Sequence, residues 1–167
     1  MKRLSLLVIG ALILGMGMVE TLHADEDEGD IRIRPIGHVE KTETQTFIVL
    51  EQQYKPGLLG LEGFSHVYVF WWFDENDTPK GRSVLRVYPM GDRRHPRTGV
   101  FAARSPRRPN LIALTLCKIV AVKDNKVQVK EIDAFEGTPV LDMKPVIPGY
   151  DTAKDARVPD WLNNARR

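Results

Sequence analysis

Gly99-Val100-Phe101-Ala102-Ala103-Arg104-Ser105-Pro106-Arg107-Arg108-Pro109-Asn110-Leu111-Ile112-Ala113-Leu114 is the stretch on which the rest of the chain turns. It begins as a strand, breaks into a basic loop and returns as an apolar strand. Pro106 and Pro109 fix φ and remove two backbone donors, so neither ladder runs through the loop. Ser105 and Arg108 precede prolines and are pushed toward extended geometry. Arg104, Arg107 and Arg108 are therefore carried on a stiff backbone, with Arg93, Arg94, His95 and Arg97 just upstream. A fixed guanidinium cluster suits a carboxylate, a phosphate or a planar ring. A solvated basic loop is the plain alternative.

Both flanks of this stretch read as strands. Residues 111–122 are apolar, Asp124-Asn125 turns them into residues 126–132, and the two runs form a hairpin. Gly137-Thr138-Pro139 is a second sharp loop, followed by a short strand over residues 140–145. Pro159 ahead of Asp160-Trp161-Leu162 predicts one short C-terminal helix. On the other flank, residues 83–88 read as a strand closed by Pro89 and Gly91, and residues 74–82 as a polar loop. Residues 64–73 (FSHVYVFWWF) form a strand with apolar residues on both faces, expected to be buried on both sides. Residues 58–63 read as a short apolar turn or a single helical turn, and residues 44–51 and 31–39 as the first two strands. Pro35 sets the middle of the first at an edge or bulge. Strands with short connections and almost no helix must close on themselves. The expected fold is mainly β, a small antiparallel β-barrel of about seven strands with one short C-terminal helix, over residues 31–167.

The 167 residues suit one domain. With 24 Lys and Arg against 22 Asp and Glu, the net charge is only +2, so the basic residues act through clustering. Cys117 is the one cysteine, which excludes an internal disulfide and reads as a buried core thiol. His38, His66 and His95 lack ligand-like spacing, so no metal site is expected. Residues 1–24 combine Lys2-Arg3, an apolar run over 4–19 and Ala24 ahead of an acidic segment. They read as a signal peptide, and residues 25–30 as a disordered acidic lead-in. Export to the periplasm or exterior is expected; uncleaved, the same segment would anchor the chain to a membrane.

Four motifs together resemble the TrmO/TsaA-like (YaeB-like) family: Pro35-Ile36-Gly37, Leu59-Gly60-Leu61-Glu62-Gly63-Phe64-Ser65-His66, the central stretch through Arg108-Pro109-Asn110, and Glu136-Gly137-Thr138-Pro139-Val140-Leu141-Asp142-Met143-Lys144-Pro145. The resemblance covers most of residues 31–162. It implies a small barrel that dimerises, binds S-adenosyl-L-methionine and methylates N6 of threonylcarbamoyladenosine in tRNA. Carried over by motif, Arg104, Leu114 and Asp133 are implied cofactor contacts, with Asp74 and Glu75 beside them. Asp142, Lys144 and Asn110 fall on the acceptor side. Trp71, Trp72 and Phe73 are more aromatics than a small barrel readily holds, which supports a dimer. The chain departs from the family where Asn110-Leu111-Ile112-Ala113 replaces Asn-Pro-Ile-Gly, and where a Pro-x-Gln segment is absent between residues 39 and 46.

Three functions follow from these residues. One is an S-adenosyl-L-methionine-dependent methyltransferase acting on tRNA or a smaller adenosine-like acceptor. Another is an exported, non-catalytic barrel protein that binds a small anionic or nucleotide-like ligand. The third is nucleic-acid binding by the basic patch alone. For the last, Phe101 is the only aromatic interleaved with the arginines, so no stacking platform is read from the sequence.

Overall fold

The structure is a computed structural model that describes residues 31–165. The expected signal peptide and acidic lead-in lie outside the described residues. Eight strands form in chain order: β1 (Gly37–Lys41), β2 (Thr46–Leu50), β3 (His66–Trp72), β4 (Arg86–Val87), β5 (Thr98–Gly99), β6 (Ile112–Lys123), β7 (Lys126–Lys130) and β8 (Pro139–Pro145). Six close into an antiparallel barrel in the order β1-β2-β7-β6-β3-β8, with β8 returning to β1. β4 and β5 form a separate two-stranded ribbon. The expected barrel of about seven strands is thus a six-stranded barrel plus a ribbon.

Alternation builds the core. Val39, Ile48, Val67, Val69, Cys117, Val127, Val129 and Val140 are buried, each on the inward face of its strand. Burying one such branched side chain stabilises the fold by roughly 1.5–3 kcal/mol. On β3, Val67, Val69 and Trp71 point inward while His66, Tyr68, Phe70 and Trp72 remain partly exposed. The expectation of burial on both faces is corrected: only one side of β3 faces the core. Val120 is an extra residue in β6, between the pairs Ile119↔Val129 and Ala121↔Gln128. This bulge shifts the alternation by one, so that Ile119 and Val122 both pack against the core. Gly37 is required by close approach, since a Cβ there would lie 2.1 Å from the Val49 carbonyl oxygen.

The single C-terminal helix is also corrected. The helix after Pro159 forms as α3 (Asp160–Ala165), but α1 (Pro79–Arg82) and α2 (Pro148–Asp151) precede it, with several 3₁₀ turns. α1 interrupts the segment read as a polar loop. Thr78 caps it, its Oγ1 accepting from the Gly81 N–H at 2.9 Å, and Pro79 sits in the first turn. Among the described residues no helix is long and apolar enough to cross a membrane.

Candidate functional site

At one seam of the barrel wall, β6 and β7 separate. β6 pairs with β3 along residues 112–118, but β7 joins β6 only from Lys118 onward. Glu131 causes the separation. Its left-handed backbone (φ 73°) ends β7 and turns the chain away. The Ile119 N–H donates to Ser65 O, and Leu111 O accepts from the Phe73 N–H, both on the β3 side. Residues of the other parity, Leu114 and Leu116, therefore direct their N–H and C=O into the gap. An unpaired edge of this kind offers a ready row of donors and acceptors.

The gap is a cleft of about 710 Å³, within the usual range for a small-molecule site. Trp71, Phe73, Ile112 and Leu114 supply its apolar walls, Arg104 and Arg108 its cations, and Glu131 and Asp133 its anions. Asp133 is held in place. The Trp71 Nε1–H donates to Thr115 Oγ1 at 3.0 Å, and Thr115 Oγ1 donates to Asp133 Oδ1 at 2.8 Å. Trp71 is only 6% exposed, so this relay is anchored in the core. The same placement corrects the use of Trp71 as an interface aromatic: it packs inward, edge-on to Phe73 at 4.7 Å.

The basic loop is held from behind. Arg82 on α1 donates through Nη1 to the Pro109 carbonyl at 3.0 Å and through Nε to Asp77 Oδ1 at 2.7 Å. It also lies 5.3 Å from the centre of the Trp72 ring, and the Trp72 Nε1–H reaches Asp77. The hydrogen bond from Arg82, ahead of that from Trp72, holds the Asp77 carboxyl below its ordinary value. Leu111, fully buried in a left-handed conformation (φ 50°), then leads the loop back into β6.

Of the residues singled out in the sequence, Arg104, Leu114 and Asp133 meet in this cleft. Asp74 and Glu75 stand on the 3₁₀ turn just after Phe73, beyond the residues that form the cleft walls. Asp142 and Lys144 pair with each other at 3.3 Å on β8. Lys144 lines an adjoining groove with Tyr68, Phe70 and the shared Leu114. Asn110 is exposed at the foot of the basic loop, away from the cleft walls. Thr115 and Glu131 were not singled out, and Trp71 was singled out only as an interface aromatic. Thr115 is one residue from Leu114, but only the β3–β6 register, Trp71↔Ala113 and Val69↔Thr115, brings it near the indole. Cys117 is buried beneath the cleft, where burial, ahead of the nearby Asp133 and Glu131 charges, pushes its thiol up to about 12. It is therefore protonated and unreactive near neutral pH. Among the described residues no group of three or more His, Cys, Asp or Glu could hold a metal ion.

Fold and cleft together define a small antiparallel barrel whose wall opens at one strand edge, beneath a braced arginine loop. The chain belongs to the TrmO/TsaA-like family: the tRNA-methyltransferase O N-terminal domain matches residues 30–152. A relative from Methanocaldococcus jannaschii, described as a "Probable S-adenosyl-L-methionine-binding protein", is 40% identical over 112 residues, covering 67% of this chain and 89% of its own. The human tRNA (adenine(37)-N6)-methyltransferase is 39% identical over 102 residues, 61% of this chain but only 22% of that enzyme. The crystal structure of TrmO from Pseudomonas aeruginosa superposes with a TM-score of 0.61 at 27% identity, covering 79% of this chain and 62% of that one.

Proposed function

We propose that the chain is an S-adenosyl-L-methionine-dependent methyltransferase, with its cofactor cleft at the unpaired edge of β6. One observation carries this reading. Arg104 and Leu114 from the central stretch, and Asp133 from the segment before the Gly-Thr-Pro loop, converge on a single cleft of suitable size. Their chemistry fits the cofactor. Arg104 offers a fork for its carboxylate, and Asp133 an acceptor for its ribose hydroxyls or ammonium. The Leu114 backbone edge can pair with the adenine rim, between apolar walls. The relatives described as S-adenosyl-L-methionine-binding proteins support the same cofactor. When bound, the sulfonium supplies an activated methyl group, so the protein's part is to align the acceptor and exclude water.

The proposed acceptor is tRNA or a smaller adenosine-like molecule, by likeness to the adenine-37 methyltransferases. Asp142 and Lys144, neutralising each other at the adjoining groove, and Asn110 are the proposed acceptor-side groups; Asp74 and Glu75 are proposed to approach the cofactor from the turn after β3. A homodimer is also proposed, supported by the partly exposed outer row of Tyr68, Phe70, Leu114 and Leu116. The Lys2-Arg3 and apolar pattern of residues 4–19 supports export. If export is confirmed, the second reading, a non-catalytic binder of a nucleotide-like ligand, is the alternative to methyl transfer.

Calorimetric titration with S-adenosyl-L-methionine tests the cleft. Arg104→Ala should weaken binding roughly ten- to a hundred-fold, about 1.5–3 kcal/mol for a lost charge-assisted contact. Arg104→Lys should recover only part, because a point charge does not reproduce a planar fork. Arg104 has no ion-pair partner among the described residues, so both variants should melt like the wild type. Absence of binding by the wild type, or equal binding by Arg104→Ala, would sink this reading.

A further inference from the structure

We propose that a second cleft, on the other side of the Arg104 loop, binds a nucleotide unit. Its base would stack among Tyr88, Phe101 and Trp161, and its phosphate would meet the arginines of residues 93–107. This cleft has a volume of about 770 Å³ and lies between the turn at Tyr88–Met90, the loop at Phe101–Arg104, and α3 with Trp161 and Leu162. Phe101, Ala103 and Arg104 also line the first cleft and so form the wall between the two.

Three observations converge on a nucleotide. The first is aromatic. Phe101 is 81% exposed on the 3₁₀ turn Val100–Ala102, which leaves a large ring face open for stacking. Tyr88 and Trp161, distant in sequence, complete the stacking platform that the basic segment lacks by itself.

The second is charge. Residues 89–109 hold six arginines and one carboxylate, Asp92. Asp92 is taken by Arg94 at 2.6 Å. Arg93, Arg97, Arg104 and Arg107 are exposed and have no ion pair among the described residues. Arg93 lies 6.0 Å from the centre of the Tyr88 ring, so cation and aromatic are already adjacent.

The third is support. The His95 and Trp161 rings sit 5.4 Å apart, which docks α3 against the basic segment. A base held by stacking and a phosphate held by guanidinium groups is how single-stranded nucleic acid is gripped without base-pairing.

The binding claim stands on this cleft alone. That a nucleotide held there lies beside the cofactor rests on the proposed function, because Phe101, Ala103 and Arg104 form the wall between the two clefts. The test is titration of the full chain with adenosine 5′-monophosphate, a short oligoadenylate RNA and inorganic phosphate, followed by tryptophan fluorescence and calorimetry. At least one of the two nucleotide probes should bind more tightly than phosphate. Trp161→Ala and Phe101→Ala should each weaken that binding about tenfold. Affinity of Trp161→Ala for S-adenosyl-L-methionine should match the wild type, since Trp161 lines only the second cleft. Equal binding of the monophosphate and the RNA supports a free nucleotide; preference for the RNA, weakening steeply with salt, supports a strand. Failure of the wild type to bind either nucleotide probe, unchanged nucleotide binding by Trp161→Ala, or competition between nucleotide and S-adenosyl-L-methionine for one site overturns the proposal. Nucleotide binding without S-adenosyl-L-methionine binding sinks the methyltransferase reading and leaves this site standing.

Discussion

The two halves of β6 differ in what lies beside them. Residues 118–123 have β3 or β7 and the β6–β7 turn to complete their ladder, and their surroundings are ordinary barrel. Residues 112–117 have β3 on one side and the cleft on the other. The same strand is a structural stave over one half and a row of unused donors and acceptors over the other. Nothing in the apolar run of β6 itself marks the change; it comes from its neighbour, where left-handed Glu131 diverts the chain and Asp133 turns back to Thr115. A closed barrel removes strand edges, and a site can then be built by reopening one locally.

The comparison is broken most severely from the closed half. Ile48 on β2 is fully buried and pairs across to Val39 and Val127. Ile48→Ala removes a branched side chain from a packed interior and should cost about 2–5 kcal/mol of stability, cavity included. Below its lowered melting temperature the variant should bind S-adenosyl-L-methionine as the wild type does. Denaturant unfolding and calorimetry on the same sample check both statements. A large loss of affinity in the folded variant would show that the two halves are coupled.

A smaller effect is expected at Thr115, in the open half. Its hydroxyl accepts from Trp71 and donates to Asp133, so Thr115→Val releases the carboxylate and leaves a nearly buried indole N–H unpaired. On the proposed function, Thr115→Val should lose about tenfold in cofactor affinity, roughly 1–1.5 kcal/mol. Thr115→Ser keeps the hydroxyl and should restore the affinity. A Thr115→Val protein that melts lower but binds normally would make Thr115 purely structural.

How much of this was legible in the sequence depended on the distance between the residues involved. The hairpin at Asp124-Asn125 was readable because turn chemistry and β-branched runs are local signals. Arg104 and the Gly-Thr-Pro loop were readable as motifs. The α1 cap by Thr78 was also local, but the Pro79-Lys80-Gly81-Arg82 composition disguised a helix of one turn. The double burial expected of β3 failed because Tyr68, Phe70 and Trp72 are apolar without being core; Trp72 instead lies against Arg82 and Asp77. The gap beside β6 could not be read at all, since it depends on where β7 stops pairing. Nor could the second aromatic group, because Trp161 shares a cleft with Phe101 only through the placement of α3.

The smallest effect belongs to the turn that borders the second cleft, and it concerns acid. Asp92 accepts from the Arg94 side chain at 2.8 and 3.0 Å and from the Arg94 backbone N–H at 2.9 Å, with His95 at 4.0 Å. The side-chain hydrogen bond from Arg94 comes first, and together these contacts lower the carboxyl from 3.8 to about 2. A carboxyl whose folded value is depressed contributes stability above its unfolded value. That contribution is complete above about pH 4 and lost as the pH falls through about 2. The closed half of the barrel has no part in it, so the turn at residues 88–95 should loosen in acid before the core does. Carboxyl carbon shifts in a pH titration should place the Asp92 midpoint near 2. Between pH 4 and pH 2 the wild type should lose more melting temperature than Asp92→Asn, which carries no titrating group there. A midpoint near 4, or parallel losses in the two proteins, would show that Arg94 does not hold this turn in solution.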